Sequence, residues 1–185
     1  MKLSNLLLTA GSIAVAGAVA FAQGGAAGAK PPAAHAEIKG DGITGTVDLV
    51  ERAQGTGTIV EITLTASGLK PGRHGVHLHA VGKCEPDFTA AGGHFDPGPA
   101  GNTDPDANHP YHMGDIPNLE VGANGTGTMK AVTSRVTLSD GPLSLFDADG
   151  TAIIIHGNPD QGITGEPKSG VSGGLRVACG VIARK

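Results

Sequence analysis

Three of the chain's eight histidines fall within one short stretch, HGVHLH. His77 and His79 in this stretch are two residues apart, and Val76, Leu78 and Ala80 alternate with them. Successive side chains of a β-strand point to opposite faces of the sheet. The spacing therefore predicts a strand with both imidazoles on one face and apolar side chains on the other. Two parallel imidazoles on a rigid strand are half of a metal site, so further ligands should lie elsewhere in the chain.

Four more histidines and one aspartate are candidates for the other ligands. They are His94 in GGHFDP, His109 and His112 with Asp115 in NHPYHMGD, and His156 at the end of AIIIH. Imidazole ligands suit copper, zinc, iron or nickel, and a carboxylate beside histidines suits zinc. A single site could not hold six histidines and an aspartate, whereas two sites could. For His74 we expect a hydrogen bond to loop backbone, and for His35 an ordinary surface position.

Short strands must position these residues. The composition of 31 Gly, 12 Pro, no Trp, one Tyr and four Phe favours strands and tight turns over a helical bundle. Besides HGVHLH, the strand candidates are HAEIKG, GITGTVDLV, GTIVEITLTAS, GTGTMKAVTSRVTL, GTAIIIHG and LRVACGVIA. They predict an all-β antiparallel sandwich or flattened barrel. Two long segments, 82–119 and 157–174, lack this pattern, and we predict that they are functional loops.

The first 34 residues predict export and a linker. Lys2, the apolar run Leu6–Ala20 and an A-x-A motif ending at Ala22 indicate a signal peptide over 1–22. Residues 23–34, QGGAAGAKPPAA, are typical of a flexible tether, which leaves 35–185 as the folded domain. No basic stop-transfer flank follows the apolar run. We therefore expect a periplasmic or extracellular protein with no stable membrane anchor once the signal is removed.

Charge and cysteine content narrow the possible partners and the compartment. A net charge of −4, a pI near 6.0 and no Lys/Arg patch argue against nucleic-acid binding. The two cysteines, Cys84 and Cys179, would form a disulfide in an oxidising compartment. That bond would close a loop of about 95 residues and contribute a few kcal/mol. The alternative is a pair of free buried thiols.

Six motifs, taken in order, resemble the copper/zinc superoxide dismutase family. They are HGVHLH, GKCEPDF, AGGHFDP, HMGD followed by PNL, IIIHGNPDQ and GGLRVACGVIA, and they span roughly 35–184. The resemblance implies a Greek-key, immunoglobulin-like β-sandwich, the architecture known for that family. It also implies dismutation of superoxide to dioxygen and hydrogen peroxide by a redox-cycling copper with a structural zinc.

The resemblance further implies a role for each matching residue. Copper would be held by His77, His79, His94 and His156. Zinc would be held by His94, His112, Asp115 and one further histidine, so that His94 bridges the metals and takes part in catalysis. Asp160 would link a copper histidine to a zinc histidine, Arg176 would guide the anion, and Cys84 and Cys179 would form the family's disulfide.

One departure from the family pattern concerns the fourth zinc ligand. The family's remaining zinc histidine lies about midway between the bridging histidine and the HxGD-type motif, but here no histidine follows His94 until His109. We expect His109 to complete the zinc site if the loop folds back. Without it, the chain would be a copper-only dismutase. A non-catalytic copper-binding or carrier domain is the other alternative, although it would need neither four copper histidines nor Arg176. Whether the domain forms a homodimer stays open.

Overall fold

The computed structural model describes residues 30–98 and 102–185. The predicted signal at 1–22 and the first part of the predicted tether, 23–29, lie outside the described residues. The first strand begins at Ala33 and therefore includes the last two residues of the predicted tether. Within 30–98 and 102–185 we find no helix with the length and apolar character needed to span a membrane.

The described residues form nine β-strands and one 3₁₀ helix. The strands are β1 (Ala33–Gly40), β2 (Ile43–Gln54), β3 (Gly57–Ser67), β4 (Gly72–His79), β5 (Asp115–Val121), β6 (Thr126–Thr133), β7 (Ala152–His156), β8 (Arg176–Val181) and β9 (Ala183–Arg184), and the helix covers Phe88–Ala91. The sheet order is β2-β3-β6-β5-β4-β7-β8-β1, and β1 pairs again with β2, so the sheet closes into a barrel. Strands β3 and β4, and likewise β6 and β7, are consecutive in the chain but not neighbours, which is Greek-key connectivity. The predicted all-β Greek-key fold is confirmed.

Alternation of apolar and polar residues explains how the strands build the core. On β3, Val60, Ile62 and Leu64 are fully buried while the residues between them face outward. Aliphatic side chains of this kind make up most of the interior, and Phe95 is the largest side chain buried there. Full burial of each large apolar side chain contributes about 1.5 to 3 kcal/mol. The barrel is therefore a rigid support for the loops at its edge.

Strand β4 lies between β5 and β7 and is the base of the histidine-rich region. On one side it pairs with β7, with His77 opposite Ile154 and His79 opposite Ala152. On the other side its His77 is opposite Asp115, the first residue of β5. Because β4 is hydrogen-bonded on both edges, the positions of its two histidines are fixed.

Two strand boundaries differ from the sequence-based prediction. Strand β5 begins inside 82–119, which we expected to be a loop, and ends just beyond it at Val121. Its residues carry only weak alternation, and it forms because β4 supplies the hydrogen bonds of a ladder. The candidate GTGTMKAVTSRVTL ends as a strand at Thr133. Val136 and Leu138 are fully buried, but they are one residue out of phase with the buried positions of β6, and no neighbouring strand among the described residues pairs with them.

The predicted disulfide is confirmed, since Cys84 and Cys179 are joined across a sequence separation of 95 residues. Cys179 lies on β8, where it pairs with Ile154 of β7. Cys84 lies in the first long loop, just before the 3₁₀ helix. The bond therefore ties that loop to the wall of the barrel.

Reduction of this disulfide is expected to destabilise the domain by about 2 to 5 kcal/mol, because the unfolded chain regains the freedom of a long closed loop. Denaturant unfolding with and without a thiol reductant, at fixed metal content, measures the difference. Mass spectrometry of protein purified from its native compartment supplies the control, and two free thiols there would contradict the prediction.

Candidate metal centre

Four imidazoles from three parts of the chain converge at one end of β4. His77 and His79 come from β4, His156 ends β7, and His94 lies in the first long loop, where it makes a β-bridge with His79. All four are at most 1% exposed. Each offers a ring nitrogen within 4.8 Å of the others. The structure thus brings together the four residues predicted to hold copper.

Hydrogen bonds fix three of these rings through the nitrogen that faces away from the convergence point. His79 Nδ1 bonds the carbonyl of Gly92 at 3.1 Å, and His156 Nδ1 bonds the carbonyl of Gly174 at 2.9 Å. His77 Nε2 bonds a carboxylate oxygen of Asp160 at 2.9 Å. Each ring is therefore held in one orientation with its other nitrogen directed inward.

The inward nitrogens have no hydrogen-bond partner among the described residues. They are His77 Nδ1, His79 Nε2, His94 Nε2 and His156 Nε2. Buried polar atoms in folded proteins nearly always have a partner, because an unpaired one has lost its water without compensation. Four unpaired imidazole nitrogens around one point fit a transition metal such as copper.

Burial keeps these imidazoles neutral. It is the largest cause of the lowered pKa of His77, His79, His94 and His156, and it lowers the pKa of His94 to about 3. Neighbouring imidazoles add to the effect at all four residues. A neutral imidazole presents a free lone pair at one ring nitrogen, so no proton has to leave that nitrogen before a metal binds.

A second convergence is centred on the Asp115 carboxylate. Its Oδ1 lies 2.7 Å from His94 Nδ1, and its Oδ2 lies 3.1 Å from His112 Nδ1 and 3.2 Å from His109 Nδ1. Three imidazoles thus face one carboxylate through the same ring atom, and His94 presents its other nitrogen to the first group of four histidines. The loop does fold back to bring His109 here, where its side chain is fully buried. The residues with mutually close ligand atoms in this group are His77, His94, His109 and Asp115.

Asp160 joins the two groups. One of its carboxylate oxygens bonds His77 Nε2 at 2.9 Å, and the other bonds His109 Nε2 at 2.7 Å. Backbone hydrogen bonds to the Asn118 side chain hold Asp160 in place from both its N–H and its carbonyl. Although burial opposes ionisation, the bonds from His109 and His77 keep the pKa of Asp160 well below its usual range. Asp160 therefore contacts one histidine of each group.

The carboxylates of the second group stabilise positive charge on the histidines beside them. Burial lowers the pKa of His109, but the Asp115 and Asp160 carboxylates outweigh it and raise that pKa to about 9. The pKa of Asp115 is correspondingly held far below its usual range: burial opposes this, and bonds to His109, His112 and His94 outweigh it. Two buried carboxylates around histidines match the ligand types and charge that a zinc ion requires.

Arg176 lies at the start of β8, opposite His156 in the strand pairing. Its Nη1 donates to the carbonyl of Phe88 at 2.7 Å and its Nη2 to the carbonyl of Gly92 at 2.6 Å, the same carbonyl that His79 contacts. The Arg176 charge is among the causes that lower the pKa of His79 and His156. Burial lowers the pKa of Arg176, yet a guanidinium keeps its charge in proteins.

A cavity lined by His156 and Arg176 opens beside the four converging histidines. Both long loops border it, and Asp104, Asp106, Lys168 and Ser172 are among its lining residues. The buried Asp106 carboxylate accepts hydrogen bonds from the Gly170 N–H and from the Ser172 N–H and hydroxyl. Asp106 therefore fastens the first loop to the second at this opening, and no sequence signal pointed to that role.

The two remaining histidines have structural positions. His74 is buried, with its ring nitrogens 2.7 Å from the His156 carbonyl and 2.8 Å from the Lys70 carbonyl, so the predicted bond to loop backbone is confirmed. His35 lies on β1, where its ring nitrogens contact Asp48 and Glu37.

The family model and the curated relatives that this chain matches are all copper/zinc superoxide dismutases. Residues 43–182 match the model of the family described as copper/zinc superoxide dismutase. The chain is 39% identical over 146 residues to superoxide dismutase [Cu-Zn] 2 of Brassica juncea, covering 77% of this chain and 90% of that protein. It is 40% identical over 150 residues to superoxide dismutase [Cu-Zn] of Caulobacter vibrioides, covering 77% and 80%.

Two solved structures share the fold. The clock protein EA4 superposes with a TM-score of 0.69 at 27% identity, covering 84% of this chain and 96% of that one. A double mutant of a superoxide-dismutase-like protein from Bacillus subtilis superposes with a TM-score of 0.61 at 32% identity, covering 79% and 94%.

Proposed function

Because this chain belongs to the copper/zinc superoxide dismutase family, we propose that its two convergent histidine groups are the metal sites of that enzyme. The family's members are oxidoreductases that bind copper and zinc and convert superoxide to dioxygen and hydrogen peroxide.

We assign copper to His77, His79, His94 and His156. The observation that carries the assignment is the set of four buried nitrogens, one from each ring, that lack a partner among the described residues. A carrier domain would not need a complete set of ligands next to a half-buried arginine. The same set therefore favours a catalytic site over a copper-delivery site.

We assign zinc to His94, His109, His112 and Asp115. His77 also lies near this group, but its Nε2 is taken up by Asp160 and its Nδ1 belongs to the copper set. His112, whose Nδ1 lies 3.1 Å from the same carboxylate as His109 Nδ1, is the better fourth ligand. This set supports a copper/zinc enzyme over a copper-only one.

The protein's residues prepare the site for a small anion and for proton transfer. When bound, copper supplies one-electron redox chemistry and zinc supplies a fixed charge that holds the surrounding loop. Formation of hydrogen peroxide consumes protons, and His94 Nε2 is placed to hold one at the centre of the site. Arg176 uses one N–H on each of Nη1 and Nη2 for backbone carbonyls, which leaves further N–H groups to orient superoxide.

Replacing Arg176 by alanine is expected to lower kcat/KM for superoxide by about tenfold, because the anion loses a fixed positive charge at the opening. Metal content should stay unchanged, since Arg176 is not a ligand. The wild-type rate should fall with rising salt through screening, and the variant should depend less on salt.

Arg52→Ala is the matched control for this prediction. It removes the same charge from an exposed ion pair with Glu61, on strands that do not border the opening. An Arg176→Ala enzyme whose rate and salt dependence equal those of the wild type would remove Arg176 from the mechanism.

Metal analysis of the purified mature protein, paired with a superoxide dismutation assay, tests the proposal as a whole. We expect one copper and one zinc per chain and full activity only when both are present. Copper without dismutation would favour a carrier domain, and full activity with copper alone would favour a copper-only enzyme.

We also propose that the enzyme acts outside the cytoplasm, in the periplasm or the extracellular space. The signal pattern at 1–22 supports this location, and so does the disulfide, since such bonds persist in oxidising compartments. Fractionation of cells, followed by N-terminal sequencing of the exported protein, tests it. Protein retained in the cytoplasm with residues 1–22 still attached would contradict it.

A further inference from the structure

The zinc assignment places two ligands on one very short segment, His109–His112, which we call the zinc turn. The Tyr111 N–H donates to the carbonyl of Asn108, the residue before this turn, at 2.9 Å. A segment this short has few internal contacts with which to fix its own conformation. Its geometry must therefore be set by whatever contacts its backbone from outside.

Side chains from two other elements engage three carbonyls of the zinc turn. Arg135 Nη1 donates to the carbonyl of Pro110 at 3.2 Å and to the carbonyl of His112 at 3.1 Å. The Thr164 hydroxyl donates to the carbonyl of His109 at 2.6 Å. Arg135 follows β6 and Thr164 belongs to the second long loop, so the turn is held from two separate directions.

These contacts bear on the ligands themselves. The carbonyls that they hold belong to both proposed zinc ligands of the turn and to the proline between them. A metal site that is populated only part of the time in its binding geometry loses affinity in proportion to that fraction. Outer contacts that orient ligands commonly change metal affinity by about 10- to 100-fold when they are removed.

We propose that Arg135, assisted by Thr164, is a positioning residue that holds the zinc turn in its metal-binding geometry. The inference rests on the proposed zinc site. It adds that zinc affinity depends on residues that are not ligands and that follow β6 or lie in the second loop.

The charge of Arg135 and its proposed positioning role predict opposite changes in zinc affinity when Arg135 is replaced. A guanidinium beside the site repels a zinc cation, so loss of the charge alone would strengthen zinc binding, although the exposure of Arg135 to solvent weakens this effect. Loss of positioning would weaken zinc binding. A weakened site in an Arg135 variant therefore reports positioning.

The test uses Arg135→Met, which keeps an unbranched apolar stem without donors, and Thr164→Val, which replaces the hydroxyl by a methyl group of similar size. Arg52→Met is the matched control, since it removes the same charge from the exposed ion pair between Arg52 on β2 and Glu61 on β3. Each full-length protein is stripped of metal and titrated with zinc against a competing chelator. Cobalt(II) is then used as a spectroscopic probe of the same site.

We expect zinc to bind about tenfold more weakly to Arg135→Met, at the lower end of the range for outer contacts. Thr164→Val should show a smaller loss, and Arg52→Met should match the wild type. The cobalt spectrum of Arg135→Met should broaden or shift, as an imprecise ligand geometry requires. Copper affinity should change little, because none of the three contacted carbonyls belongs to a copper ligand.

The outcomes separate this inference from the zinc site itself. A wild-type chain that takes up no zinc overturns the zinc assignment and, with it, the inference. A wild-type chain that binds zinc, with Arg135→Met binding it equally well and giving the same cobalt spectrum, overturns the inference alone. Thr164→Val provides a second test of the turn if Arg135→Met does not fold.

Discussion

Replacing His156 by alanine is expected to reduce dismutation by at least about 100-fold while the barrel stays folded. The imidazole supplies one of the four unpaired buried nitrogens, and its Nδ1 is already committed to the Gly174 carbonyl. Loss of an outer contact alone can cost that factor in metal affinity, so loss of a ligand should cost no less. The strand itself should survive, because β7 is paired with β4 on one side and with β8 on the other.

A copper titration, a dismutation assay with one equivalent each of copper and zinc, and circular dichroism to verify the fold together measure this effect. His35→Ala is the matched control. It also removes an imidazole, but the side-chain hydrogen bonds of His35 go to Asp48 and Glu37, away from the metal-binding histidines. We expect the control to retain wild-type activity. Near-normal activity in His156→Ala would exclude His156 as a copper ligand.

Replacing His109 by alanine is expected to lower zinc affinity by at least about 100-fold and to loosen both long loops, with copper largely retained. His109 contacts Asp115 through Nδ1 and Asp160 through Nε2, so its removal takes one ligand from zinc and one partner from each carboxylate. Copper should remain because Asp160 still bonds His77, which keeps that ring oriented. Zinc content by mass spectrometry and hydrogen exchange over 102–114 and 157–174 measure the two effects.

Tyr111→Ala is the control for His109→Ala, because it changes the same turn at a side chain that is 67% exposed. We expect it to keep zinc. If His109→Ala still carries one tightly bound zinc per chain, then His109 is not the ligand, and the zinc site of this chain must be built from other groups.

Much of the barrel and half of the copper site could be predicted from local patterns. Alternation on β3 and the HGVHLH spacing determine which side chains share a face, because the side-chain period of a strand is two residues. The chemical types of the six clustered histidines and of Asp115 indicate two metals, since imidazole and carboxylate have definite metal preferences. The two cysteines indicate a disulfide, because thiols in an oxidising compartment form one. All of these signals are carried by residue type and near-neighbour spacing.

Tertiary structure decided the matters that depend on residues far apart in the chain. Strand β5 forms through pairing with β4, and the same pairing places Asp115 opposite His77. Whether His109 reaches the zinc group depended on the path of its loop, and no spacing rule describes that path. Asp160 holds His109 across a separation of 51 residues.

Apart from those of Asp160, the contacts that orient the ligands had no sequence signal. The carbonyls of Gly92 and Gly174 fix two copper histidines, and Arg135 and Thr164 hold the zinc turn by its backbone. Every residue has a carbonyl, so residue type does not mark the ones that act as acceptors. Sequence alone therefore determined which groups can bind metal, and folding determined which nitrogen of each ring is free to do so, because the other nitrogen bonds to groups that only the folded chain brings near.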